Sequence, residues 1–257
     1  MLMTARRGYR PSSDEVGRTR YQAPDRIGTV SLQALLHSTG RDPLTSRQFE
    51  LLASDAGRGR SEDVELFFAG DIGLLSQRCV SIVGTREASR DGVARASRLA
   101  RELVQAGITI VSGLARGIDT AALTSAIEHG GRTAAVIGTP LSKAYPAENA
   151  ALQETIWREH LLLTPFREGT TVFRANFPVR NRVMAAVSDA TVIIEASDTS
   201  GTLHQAAECQ RLGRWLFVAK SVVDDASLNW PRRFVGKPKV AVLQATSDIV
   251  NTIQAAA

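Results

Sequence analysis

Residues 79–119 read CVSIVGTREASRDGVARASRLARELVQAGITIVSGLARGID, and this stretch decides the fold. Two short runs rich in β-branched residues, VSIVG (80–84) and ITIVSG (108–113), flank RDGVARASRLARELVQAG (90–107). The middle segment reads as an amphipathic helix,. A continuous apolar strand, an amphipathic helix and a second apolar strand make a βαβ unit whose strands are covered on both faces. Gly107 stands where a helix C-terminus favours a left-handed residue.

The pattern repeats outward. TAAVIG (133–138), LLLTPF (161–166), ATVIIEA (190–196) and RWLFVA (214–219) read as further strands. GIDTAALTSAIEHG, AENAALQETIWREH, NRVMAAVS and TLHQAAECQRLG read as the helices between and after them, with Gly130 and Gly213 closing two. The expected class is α/β: an extended Rossmann-like, doubly wound, mostly parallel sheet with helices on both faces. VAVLQ adds an expected edge strand and SDIVNTIQ a final helix. Residues 77–257 are assigned to this domain. Residues 28–76 are expected as a short helical lead-in packed on it, with helices at SLQALLHS and SRQFELLAS. Residues 1–27, polar and arginine-rich, are expected as a disordered basic tail,.

Hydrophobic residues make up 44% of the 257, enough for a sizeable core, and the net charge is +5,. Lysine occurs only at Lys143, Lys220, Lys237 and Lys239, so the basic character is arginine's. A planar guanidinium grips phosphate bidentately, so this balance leans toward polyanionic partners. Cys79 and Cys209 lack metal-ligand spacing and read as buried residues of a reducing cytoplasm,. The basic N-terminus has no apolar segment of signal-peptide type, and no window is apolar enough to span a bilayer,. The expected location is therefore cytoplasmic, without membrane association.

Ligands of such sheets bind beyond the carboxyl ends of the strands. Those loops are GTR (Gly84–Arg86), SGLARGID (Ser112–Asp119), GTPLSKAYPAEN, FREGTTVFRANFPVRNR and EASDTSGT. Four of the five carry cations: Arg86, Arg116, Lys143, and Arg167, Arg174, Arg180 and Arg182 together. Convergence on one sheet edge predicts an anion site. Gly113 and Gly117 lie four apart, so SGLARGID is not the dinucleotide fingerprint,. Thr202 is a candidate N-cap after Ser200–Gly201, and Asn176 another, with Pro178 tolerated in the first turn,. Arg180 and Arg182 then stand at the positive end of a helix dipole, where a cation is disfavoured unless an anion is near. At about 100° per residue the two diverge, so one reads a ligand while the other pairs with an acid such as Glu195 or Asp119.

SIVGTR, VSGLARGIDTAA, GGRTAAVIGTPLSKAYPAEN and NFPVRNRVMAAVSDATVIIEASDTSGT, in this order, resemble the DNA-processing protein A family (DprA, also called Smf) over residues 65–220, FFAGDIGLL included. The resemblance implies a single-stranded DNA-binding protein with a basic pocket on an extended Rossmann domain, no cofactor and no metal. Its members protect incoming strands in natural transformation and help load the RecA recombinase, usually as homodimers. Carried over by motif, the DNA-facing positions are Arg86, Ser112, Gly113, Arg116, Lys143, Asn176, Arg180 and Arg182. Gly84, Gly117, Asp119, Glu195, Ser200, Gly201 and Thr202 organise the pocket. The chain departs from the family at FREGTT, after residue 220, and in lacking a recognisable C-terminal winged helix.

Two other readings use the same pocket. It suits a sensor of a nucleotide-derived ligand, distinguished by whether Tyr145, Phe166, Phe173 and Phe177 offer rings for base stacking; Phe177 is read as core. A nucleotide N-glycosidase needs a glutamate three residues after the threonine of the glycine–threonine turn, where this chain has Gln205,. No enzymatic activity is expected.

Overall fold

The computed structural model describes residues 21–45 and 63–255. In chain order its strands are β1 (Gly28–Ser31), β2 (Glu65–Gly70), β3 (Cys79–Val83), β4 (Thr109–Ser112), β5 (Thr133–Val136), β6 (Leu161–Thr164), β7 (Ala190–Ile193), β8 (Trp215–Ala219) and β9 (Val240–Leu243). Among the described residues they form one sheet, ordered β1-β2-β6-β5-β4-β3-β7-β8-β9. From β6 to β9 every neighbouring pair is parallel. The order reverses between β3 and β7, which pair Val80 with Ala190 and Val83 with Ile193.

Every residue of β3 to β7 is buried, which is why these strands read as unbroken apolar runs,. The pleat sends Val80 and Ile82 to one face, against α2 (Arg90–Gln105) and α3 (Ile118–Glu128),. Cys79 and Val83 go to the other, against α5 (Asn176–Ala186) and α6 (Thr202–Arg211). Among the described residues the remaining α-helices are α1 (Leu32–Ser38), α4 (Ala150–Glu159), the single turn α7 (Lys220–Val223) and α8 (Thr246–Ala255). Gly107, Gly130 and Gly213 follow their helices at φ 76°, 71° and 65°,. Among the described residues, no helix is long and apolar enough to cross a membrane.

The expected helical lead-in differs from what forms. Within 28–76 the described residues give α1, capped by the Ser31 hydroxyl accepting from Ala34 N at 3.1 Å, but also two strands. β1 pairs antiparallel with β2, and β2 antiparallel with β6, setting Phe67 against Thr164. The lead-in thus widens the sheet instead of only packing on it. A buried arginine ties it down: Arg41 donates to Leu75 O at 2.6 Å and to Asp189 Oδ2 at 2.9 Å. Asp189 Oδ2 also accepts from Cys79 N at 2.7 Å. The helix expected at SRQFELLAS lies outside the described residues, as do residues 1–20 of the expected tail. Residues 21 and 22 are docked: the Tyr21 hydroxyl donates to Leu141 O at 2.8 Å, and Trp157 Nε1 donates to Gln22 O at 3.0 Å.

Cys79 and Cys209 are free and buried, and burial pushes both thiols up to about 12. Raised pKa values contribute stability that is complete below the unfolded-state thiol value and lost as pH rises toward 12. The expected result is that both thiols resist alkylation at pH 8 in the folded protein and react promptly once it is denatured. Fast labelling of the native protein would show that the two sites are open.

Candidate functional site

The strands flanking the order reversal send their chains apart, and a cavity of about 690 Å³ opens between them,. Its walls are the loop Gly84–Glu87 after β3, residues Ser197–Thr202 after β7, and the first turns of α5. A second cavity of about 490 Å³ continues along the same edge toward Arg116, sharing Arg86, Tyr145, Phe177 and Arg180 with the first. Together they form one cleft.

Its floor is built by close backbone approach. Gly117 immediately precedes α3 at φ 72°, and a Cβ there would lie 2.4 Å from Thr85 O and 2.8 Å from Arg86 O. A Cβ on Gly84 would lie 2.5 Å from Ile118 Cγ1. Leu114 is held at φ 57°, a left-handed conformation rare for a branched side chain,. Two side chains hold that loop. Asn149 Nδ2 donates to Leu114 O at 2.9 Å, and the buried Asp119 carboxylate accepts from Gly113 N at 3.1 Å and Ala115 N at 3.4 Å. Burial pushes the Asp119 carboxyl above the ordinary range, opposed by the charge of Arg180 and by these amides.

The two arginines of α5 diverge as the helical period requires. Arg180 is buried and donates through Nη1 to Gly113 O and, at 3.0 Å, to Val136 O, while its Nε has no hydrogen-bond partner among the described residues. Its charge thus lies under the cavity floor, beside Asp119. Arg182 turns to the opposite side of the helix and donates to Glu208 Oε1 at 3.0 Å. Both arginines have acidic neighbours inside the protein, so the cation at the helix N-terminus is explained by carboxylates. Asn176 is not the N-cap: it is the first residue of α5, behind Ala175, and its Nδ2 donates to Gly138 O at 3.2 Å. Thr202 likewise opens α6 behind Gly201, and its hydroxyl donates to Gly84 O at 3.0 Å. In both cases the side chain instead donates to a carbonyl just beyond the end of a neighbouring strand. The Ser200 hydroxyl accepts from Thr202 N at 3.2 Å in place of a cap.

The other expected positions spread over several roles. Arg86 is exposed in the cleft, its guanidinium 5.3 Å from the Phe177 ring centroid, and Tyr145 lies 5.5 Å from the same ring. Arg116 lines the far end of the cleft and pairs with Glu148. Lys143 is exposed but does not line either cavity. The Ser112 hydroxyl is buried, donating to Ile82 O at 2.7 Å. The Glu195 carboxylate faces away from the cleft, accepting from Ser89 N at 3.1 Å and the Ser89 hydroxyl at 2.7 Å. That places it over the start of α2, where a Cβ on Gly92 would meet it at 2.0 Å.

Arg174 and Phe177 line the cleft without belonging to the expected DNA-facing or pocket-organising positions. Arg174 is exposed on the cavity wall. Phe177, read from sequence as core, is half-buried and sits between Arg86 and Tyr145. Arg174 was visible as a loop arginine before α5; the side of the helix that Phe177 takes was not. Phe166 is buried and Phe173 is 63% exposed.

The family described as DNA recombination-mediator protein A matches residues 58–254. DNA processing protein DprA of Streptococcus pneumoniae is 38% identical over 165 residues, 64% of this chain and 58% of that protein. Protein Smf of Synechocystis is 42% identical over 138 residues, 54% of this chain and 35% of that one. The chain therefore spans about a third to three-fifths of these relatives' lengths. A solved structure of the Streptococcus pneumoniae protein superposes with a TM-score of 0.66 at 32% identity, covering 73% of this chain and 65% of that one. DNA processing protein A of Helicobacter pylori, described for its single-stranded DNA binding mode, shares the fold at a TM-score of 0.69 and 24% identity, covering 90% of this chain and 97% of that one.

Proposed function

The chain belongs to the DNA recombination-mediator protein A family, and from that membership we propose that it binds single-stranded DNA along the carboxyl edge of its sheet. The observation that supports this most is the joining of two cavities through Arg86, Tyr145 and Phe177 into an open cleft. A cleft of that form suits a strand passing through, with rings for bases and guanidinium groups for phosphates. In this reading Arg86, Arg174 and Arg116 contact the backbone, while Arg180 supplies positive charge from beneath the floor. Contacts of this kind are weakly sequence-specific, because phosphates carry no sequence information.

The test is fluorescence anisotropy of a labelled mixed-sequence strand, with duplex and mononucleotide competitors across a salt series. Arg86→Ala is expected to weaken every sequence alike by roughly tenfold and to flatten the log–log salt slope by about 0.7. An unchanged slope would remove Arg86 from the interface. The sensor reading has one observation in its favour: a single cavity of about 690 Å³ is the size of a small-ligand site,. Competition by a mononucleotide without strand binding would select it. The glycosidase reading has less support, since the Gln205 amide is buried and, oriented to satisfy its neighbours, donates to Asn181 O at 2.6 Å. Delivery of the strand to RecA, and action as a homodimer, are extensions from family membership. They are tested by RecA filament formation on protein-bound strands and by mass in solution.

A further inference from the structure

A third cavity, about 630 Å³, lies outside the cleft in the groove between α2 and α3. It meets the cleft at Arg116, which lines both. Its walls are low because small residues face it, among them Ala94 and Ser97 from α2 and Ala121 from α3. Arg98 and Arg101 stand along one wall, three positions apart and so on one side of the helix,. Neither makes an ion pair or side-chain hydrogen bond among the described residues. The carboxylates in the groove are Glu148, which already pairs with Arg116, and Glu128. His129 also lines it, with Nδ1 2.7 Å from Ser125 O. Guanidinium groups thus mark each stage of a continuous path: Arg174 and Arg86 in the cleft, Arg116 at the junction, Arg98 and Arg101 beyond.

We propose that a bound single strand leaves the cleft over Arg116 and continues along the groove between α2 and α3, where Arg98 and Arg101 hold its phosphates. The inference rests on the single-strand reading above. A stiff duplex does not follow a path that turns from the sheet edge onto a helical face, whereas a single strand does. The groove therefore adds length-dependent affinity and preference for single strands without reading bases.

The test compares labelled single strands of about 6 and about 20 nucleotides, a span chosen from the site sizes of single-strand binding folds. Wild type is set against Arg98→Ala/Arg101→Ala, two surface changes whose thermal midpoints are checked against wild type. The double variant is expected to bind the short strand as wild type does. It should bind the long strand roughly tenfold more weakly, with a salt slope lower by about 1.4, the loss of two single-strand phosphate contacts. Glu128→Gln should strengthen the long strand alone. Equal binding of the long strand by wild type and double variant overturns the path and leaves the cleft reading intact. So does equal weakening of both strands, which is a general charge effect. Failure of wild type to bind either strand overturns the single-strand reading itself.

Discussion

The Arg180→Ala protein is expected to unfold about 6–20 °C below wild type, the shift that a loss of about 3–5 kcal/mol produces in a domain of this size. Three losses combine. Asp119 keeps a buried carboxylate without its countercharge, and the carbonyls of Gly113 and Val136 lose their donor. A buried charge stripped of its partner is among the costliest defects a core can carry. Gly113→Ala attacks the same contact from the other side, because a Cβ there would lie 1.6 Å from Arg180 Nη1. Its effect should not add to that of Arg180→Ala, and a thermal double-mutant cycle measures the shortfall. A midpoint within 2 °C of wild type, on the order of the ordinary scatter of surface changes, would mean that the guanidinium is dispensable to the floor.

Gly117→Ala is expected to lose about 3 kcal/mol of stability and to weaken strand binding at least roughly tenfold. At φ 72° any side chain is strained, and the methyl would press on the carbonyls of Thr85 and Arg86. Those carbonyls belong to backbone and cannot rotate away, so the loop carrying Arg86 must shift. Gly107→Ala is the matched control. It has a similar φ of 76°, but nothing lies within 4 Å of the added carbon. It should lose only about 1 kcal/mol and bind normally. Circular-dichroism melts and anisotropy on both proteins separate conformational strain from close approach. Identical behaviour of the two variants would mean that the approach at Gly117 is not tight.

Much of this architecture was legible because its strands are buried on both faces. Such strands announce themselves as apolar runs, and β3 to β9 fall within one to three residues of VSIVG, ITIVSG and their successors. Glycines at helix ends were equally plain. β1 and β2 were not: what makes Glu65–Gly70 a strand is a partner in Leu161–Thr164, which no local window contains. Within the site, loop cations could be gathered onto one edge from topology alone. Their individual directions could not, because these depend on which carbonyl or carboxylate is within reach. Asn176 and Thr202 have the chemistry of caps but find loop carbonyls just beyond strand ends instead. Arg180 and Arg182 differ by two positions, and that offset decides that one lies beneath the floor and the other beside Glu208.

The pairing of β2 with β6 also bears on how the chain reaches this structure. Glu65–Gly70 is synthesised before any strand of the parallel sheet, yet Phe67 meets its partner in that sheet, Thr164, only after β3, β4 and β5 have been made. Until then β2 has only β1 beside it, and its other edge, with the apolar Leu66 and Phe67, has no sheet to join. Contacts of such sequence separation make folding slow and leave adhesive edges exposed in the interval. The nascent chain is thus most vulnerable to aggregation between the emergence of Phe67 and that of Leu163, and β6 is the strand whose arrival ends that exposure.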